Sequence, residues 1–240
     1  YADLKLPEDE KERLQRIRSV LLVPARFGGE LLGFLSIGGN KSGKGYDAQD
    51  IEFLEAAAGH VAIGINNCIL KGEQRDLEQA RQIQQHLLPV DIPQMAGYDI
   101  SGASEPARHV GGDYFDVLKL SDSKLLVCIA DVVGKGMSAA LLMSNIQATV
   151  KTLATAIISP KQLCERANRI ISNNTSSDKF ITFFAGVLDS TNSRFTYVNA
   201  GHNPPIVFRP NGSEQLLSEG GTVLGVFEVG SYEQAEVSLS

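Results

Sequence analysis

Two short segments of this chain place carboxylates among glycines. The first is Gly111-Gly112-Asp113-Tyr114-Phe115-Asp116. The second is Asp131-Val132-Val133-Gly134-Lys135-Gly136, which follows the apolar run Leu125 to Ala130. Glycine permits tight turns and a close approach of backbone to a ligand. Asp131 ends what reads as a buried strand, a poor place for a charge without a cation or a partner. Carboxylates and main-chain carbonyls are the ligands that Mg2+ or Mn2+ prefers. Asp113 and Asp116 are three residues apart, so in a regular strand they face opposite sides, and only one can point at a site shared with Asp131. Taken alone, these acids fit a salt-bridged pair as well as a metal site. The Gly-Lys-Gly turn could hold an anion at a helix N-terminus, but it lacks the spacing of a Walker A loop.

The elements needed to position these residues are legible. Tyr98 to Ala103, Tyr114 to Leu120 and Lys124 to Val132 have strand character. Two helices follow, one from about Met137 to Ile158 and one opened by Ser159-Pro160, a cap and first-turn pair, and running to about Asn173. Strand character returns at Phe180 to Leu188, Arg194 to Asn199, Pro205 to Phe208 and Glu214 to Leu217, with short polar turns at residues 190–193 and 210–213. Strands, a helical pair, then strands predict a layered α+β domain.

Upstream, Val20 to Arg26 and Leu31 to Ile37 read as a hairpin joined at Gly28-Gly29. A glycine-rich loop then leads to a helix capped by Asp47 and Asp50. Along that helix Ile51, Leu54, Ala58, Val61, Ile65 and Cys68 alternate by three and four, the spacing of a coiled-coil seam. The seam slips near Gly72 to a new row of Leu70, Leu77 and Gln84. Two readings fit, a dimerising signalling helix or a domain helix followed by a solvated one, and the row that persists through the polar stretch favours the first. Pro89 ends the helix.

Composition narrows the function. The 240 residues carry a net charge of −6, with 43% hydrophobic and 21% charged residues. That balance belongs to an ordinary globular protein and gives no basic surface for nucleic acid. No unbroken apolar run reaches the roughly 20 residues of a membrane span. The cysteines Cys68, Cys128 and Cys164 are widely spaced, as expected of reduced thiols in a cytoplasmic protein.

Five ordered motifs carry a resemblance: Ala80 to Pro89, Pro106 to Asp116, Ala130 to Gly136 with Ala139-Ala140, Phe180 to Asp189, and Asn199-Ala-Gly-His-Asn-Pro-Pro205. Together they resemble the RsbU/SpoIIE branch of the metal-dependent (PPM-type) serine/threonine protein phosphatases. The region before residue 65 resembles the C-terminal part of a GAF sensor domain. The resemblance implies a PPM-type layered β-sandwich flanked by helices, preceded by a helical linker and a partial GAF-like α/β domain. The expected divisions are residues 1–65, 66–90 and 91–240.

The resemblance also implies a pair of Mn2+ or Mg2+ ions. Asp113 and Asp131 match the family's bridging metal ligands and so carry the catalytic role, and Val132 matches a main-chain carbonyl ligand. Arg108 falls where related phosphatases bind phosphate, although a surface ion pair fits it nearly as well. Lys135 could help hold an anion, with a solvated turn as the plainer reading. His202 invites an acid role, but its Pro204-Pro205 context reads rather as a rigid loop.

The family pattern carries further aspartates in a segment beyond residue 240, so a partial metal site is expected of this sequence. The implied substrate is a phosphorylated anti-sigma-factor antagonist of the STAS type. A homodimer through the linker is expected, with no nucleic-acid partner and no membrane segment. The alternatives are a non-catalytic scaffold with a phosphatase fold and a ligand-sensing GAF module.

Overall fold

The computed structural model describes residues 12, 16, 18–105, 109–156, 159–176 and 178–239. They form two compact units, dividing between Asp76 and Leu77.

In the first unit, β1 (Leu21–Phe27) and β2 (Glu30–Ile37) pair as an antiparallel hairpin. Gly28 and Gly29 make its turn with φ of 58° and 89°, values that disfavour side chains with a Cβ. Helix α1 (Ala48–Leu87) opens on the expected reciprocal cap. The Asp50 amide donates to Asp47 Oδ1 at 2.9 Å, and the Asp47 amide donates to Asp50 Oδ2 at 3.1 Å.

The expected seam is altered here. Ala58 and Ala62 are fully buried and pack with Leu54 against Val23, Ala25, Leu35 and Ile37 of the hairpin. Leu54 and Ala58 therefore serve the core of this unit, because their three-four spacing suits a sheet as well as a second helix. Ile51, Val61, Ile69 and Leu70 stay exposed. By length and composition alone α1 holds one stretch apolar enough to cross a membrane. Ala58 and Ala62 are buried on β1–β2, whereas only 11% of that apolar stretch as a whole is buried.

The second unit is built on one twisted sheet. Its strands are β3 (Tyr114–Lys119), β4 (Lys124–Val132), β5 (Ile181–Asp189), β6 (Arg194–Ala200) and β10 (Ala235–Ser238), in the order β10-β6-β5-β4-β3, and all of these pairs are antiparallel. The short β9 (Gly220–Gly221) adds to β6 in parallel. Helices α2 (Met137–Ala154) and α3 (Pro160–Asn174) cover one face, packing Met143, Ile146, Leu163 and Ile171 onto Cys128, Ala130, Phe183 and Val198. Ser159 caps α3 by accepting from the Gln162 amide at 3.2 Å, with Pro160 in the first turn.

The opposite face meets the hairpin of β7 (Ile206–Phe208) and β8 (Glu214–Leu216), together with the segment from Ile92 to Ile100. Helices, sheet and this partial outer layer make up the layered α+β arrangement. The strand expected at Tyr98 to Ala103 is instead irregular and lies outside the sheet. Gln94 supplies its pairing, donating to the Ile100 carbonyl at 2.7 Å and accepting from the Ile100 amide at 3.0 Å. A side chain thus satisfies backbone groups that the sequence pattern assigns to a ladder.

Candidate metal centre

The register of β3 on β4 builds the site. Tyr114 pairs with Ala130 and Lys119 with Leu125. One step further, the Val132 amide donates to the Gly112 carbonyl at 3.4 Å. Asp113 therefore lies directly opposite Asp131. Side chains of opposed residues share a face, and like charges so placed are destabilising. On the other side of β4, Asp131 pairs with Thr182 of β5. Asp113, Asp131 and Thr182 thus form one row across three strands.

The expected parity of the first motif holds. Asp116 points the other way and is 2% exposed. It accepts from the Tyr114 hydroxyl at 3.1 Å and from the Val117 amide at 2.9 Å, and pairs with Lys151 of α2 at 3.5 Å. Asp116 is the salt-bridged acid of the two motifs. Among the described residues neither Asp113 nor Asp131 pairs with Lys or Arg. Asp131 is exposed on the open face, because β4 alternates near its end and buries Ala130 and Val132 toward the helices instead. At this end of β4 burial is thus one-sided, whereas Leu125 and Leu126 are both buried at its start.

The electrostatics carry the mark of an uncompensated pair. Burial, and then the charge of Asp131, push the Asp113 carboxyl above the ordinary carboxylate range, with His202 opposing the shift.

Asp113, Asp131, Val132 and Lys135 line one cleft of about 560 Å3. Its wall is main chain at Gly111, Gly112, Gly134 and Gly136. At Gly112 a Cβ would stand 2.9 Å from the Val132 carbonyl oxygen, so only glycine lets the two segments close. Gly134 and Gly136 have φ of 103° and 74°, and α2 begins directly after them without a side-chain cap. Arg108 lies outside the described residues.

The row continues beyond what sequence reading assigned. Thr182 Oγ1 lies 2.8 Å from His202 Nδ1 and donates to the Asp131 carbonyl at 3.3 Å. The Thr182 hydroxyl thus links the main chain of Asp131 to the imidazole of His202. Burial lowers the His202 pKa, while Asp131 and Asp113 oppose that shift. Buried Asn199 holds the loop, accepting from the His202 amide at 2.8 Å and donating to the His202 carbonyl at 3.0 Å. The rigid loop read from the Pro-Pro context is thus made by Asn199, and it also brings His202 beside the acids. The register opposing Thr182 to Asp131 is the signal that could have found this neighbour. A wider cleft of about 790 Å3, lined by Phe115, Ile129, Phe184 and Leu217, shares Asp113, Asp131 and His202.

All donors offered by Asp113, Asp131 and the Val132 carbonyl are oxygens, the set that Mn2+ and Mg2+ take. Among the described residues no group of three His, Cys, Asp or Glu side chains is placed to hold a metal ion, so a main-chain carbonyl is needed to complete even a three-donor set. The like-charged pair and the Gly112 approach both fit a divalent cation.

The sheet with two helices on one face has the fold of a PP2C-type domain. The fold matches the SiaA-PP2C domain of Pseudomonas aeruginosa with a TM-score of 0.58 and 18% identity, covering 72% of this chain and 69% of that one. Residues 121–240 match the family Stage II sporulation protein E (SpoIIE), and the chain belongs to that family. Residues 1–66 match the GAF domain. Among curated relatives, the chain is 34% identical to "Phosphoserine phosphatase RsbU" of Bacillus subtilis over 175 residues, covering 71% of this chain and 52% of that protein. It is 26% identical to "Phosphoserine phosphatase RsbP" of the same organism over 173 residues, covering 70% and 42%. The chain spans about half or less of the length of these relatives.

Proposed function

We propose that this chain carries the catalytic domain of a metal-dependent protein phosphatase that hydrolyses phosphoserine or phosphothreonine. The observation that carries the reading is the Asp113–Asp131 pair, set face to face without a cationic partner among the described residues, in a cleft walled by glycine. Asp113, Asp131 and the Val132 carbonyl would hold the ions. A divalent cation there supplies Lewis-acid chemistry, drawing charge from phosphoryl oxygens and making water a better nucleophile.

The chain's own residues do the rest. Glycines 111, 112, 134 and 136 let a phosphoryl group approach main chain. Lys135 on the cleft rim supplies positive charge toward it, and Arg108 belongs to the same reading. The wider cleft presents an apolar wall beside the acids.

RsbU and RsbP are phosphoserine phosphatases by name. The substrate we infer is a phosphorylated STAS-type anti-sigma-factor antagonist. Residues 66–90 act as a linker carrying signals from the GAF domain, in a homodimer supported by the exposed Val61, Ile69 and Leu70, and cytoplasmic residence belongs to the same reading. The test is phosphate release from the phosphorylated antagonist by the chain in its full natural length. Release is expected with Mn2+ and none with EDTA. A folded protein that binds the phosphorylated antagonist without hydrolysing it would establish a scaffold instead.

Gly72 lies at the slip of the apolar rows, four residues before the unit boundary, and open space surrounds the position of its missing Cβ. Gly72→Ala is expected to stabilise the helix by about 1 kcal/mol and bias one register. The readout is the ratio of sensor-on to sensor-off phosphatase activity, and an unchanged ratio would remove Gly72 from the signalling path.

A further inference from the structure

We propose that Gln84 is a positioning residue for the acid pair, fixing the Gly111–Asp113 segment from the end of helix α1. The inference rests on reading Asp113 and Asp131 as the metal centre. Gln84 occupies a place in the Leu70, Leu77, Gln84 row where an apolar residue would serve packing, yet it is 7% exposed. Both ends of its amide are used on one residue. Nε2 donates to the Gly111 carbonyl at 2.8 Å, and Oε1 accepts from the Gly111 amide at 3.0 Å. A burial this complete is tolerable only with both bonds made.

Gly111 needs that clamp. Strand β3 begins at Tyr114, and the one ladder-like bond just upstream of it among the described residues, from the Val132 amide to Gly112, is long at 3.4 Å. The clamp therefore replaces the missing ladder two residues before Asp113. Consecutive Cα atoms are fixed at about 3.8 Å, so a displacement at Gly111 has little slack before it reaches the carboxylate.

The same helix end reaches the other acid's segment. The Leu87 carbonyl accepts from Gln147 Nε2 at 3.1 Å, and Gln147 is itself buried on α2. Helix α2 starts directly after the turn that follows Asp131 and Val132. The last turns of α1 are thus bonded to the elements flanking both acids, and Gln84 makes the shorter, two-bond link to the Asp113 side.

The test uses the full-length protein with Gln84→Leu, of similar volume but without hydrogen bonds, and Gln84→Glu, which keeps the acceptor and loses the donor. Three quantities are measured: exchange of the Gly111 and Gly112 amides, Mn2+ affinity from the electron paramagnetic resonance of free Mn2+, and KM for the phosphoprotein. Faster exchange and a roughly 10- to 100-fold weaker Mn2+ affinity are expected in both variants. KM should be unchanged, and kcat should return at saturating Mn2+. A loss that is merely structural would lower the melting temperature without changing the Mn2+ requirement. Mn2+ affinity within twofold of wild type in a folded variant, or unchanged exchange at Gly111, would overturn the proposal. If wild type itself binds no Mn2+, the metal-centre reading fails and the role of Gln84 falls with it.

Discussion

Replacing Asp131 by Asn is expected to cut metal-dependent phosphate release by more than about 100-fold, beyond the loss typical of residues that only support a ligand. The same change is expected to stabilise the protein without metal. Asp113 is held above its ordinary value of 3.8 by burial and then by the charge of Asp131. A group with a raised folded pKa contributes stability at low pH that is lost as pH rises through the folded value. At neutral pH, without metal, that contribution is gone and the two carboxylates repel each other. Asp131→Asn removes the repulsion. In EDTA at neutral pH the variant should melt higher than wild type, and the difference should shrink as pH falls through the raised pKa of Asp113 toward 3.8. With Mn2+ the order should reverse, because only wild type gains from binding. Thermal melts in four conditions, low and neutral pH with EDTA or Mn2+, decide it. A variant that keeps a tenth of the activity, or that melts lower than wild type in EDTA at neutral pH, contradicts the assignment.

Gly112→Ala is expected to damage both stability and catalysis through one atom. The added Cβ would lie 2.9 Å from the Val132 carbonyl oxygen, 3.2 Å from the Val132 Cβ and 3.3 Å from the Ala139 Cβ. Each neighbour is backbone or a short side chain on buried structure, so none can swing aside. Overpacking of this kind costs about 1–3 kcal/mol. The relief available is to move the Gly112–Asp113 segment or the Val132 carbonyl, both of which belong to the proposed ligand set. A displacement of about 1 Å costs on the order of 100-fold in rate. Denaturant unfolding and kcat measured together should show the rate loss exceeding what partial unfolding explains. Activity near wild type would mean that the Val132 carbonyl is not held where the reading requires it.

Local chemistry made much of this protein legible from its residues. The Asp47–Asp50 cap, the Ser159-Pro160 start, the Gly28-Gly29 turn and strand β4 each depend on neighbours within a few positions. Alternation was enough to separate Asp113 from Asp116. The motifs pointed to Asp131, Val132 and Lys135, which the structure places along one cleft. Where a segment's partners were remote, pattern misled. Tyr98 to Ala103 has strand composition, but Gln94 takes up its backbone. Leu54 and Ala58 have coiled-coil spacing, but the hairpin takes up their face.

By itself the sequence determined most of the elements, the acids and the glycines that let chains approach. Only the tertiary structure decided who faces whom. The β3–β4 register sets Asp113 opposite Asp131, the β4–β5 register adds Thr182, Asn199 folds His202 back to that row, and Gln84 reaches Gly111 across 27 positions. The reason is physical: caps and alternation are set by bonds between near neighbours, whereas a cross-strand pair exists only once the core has fixed the register.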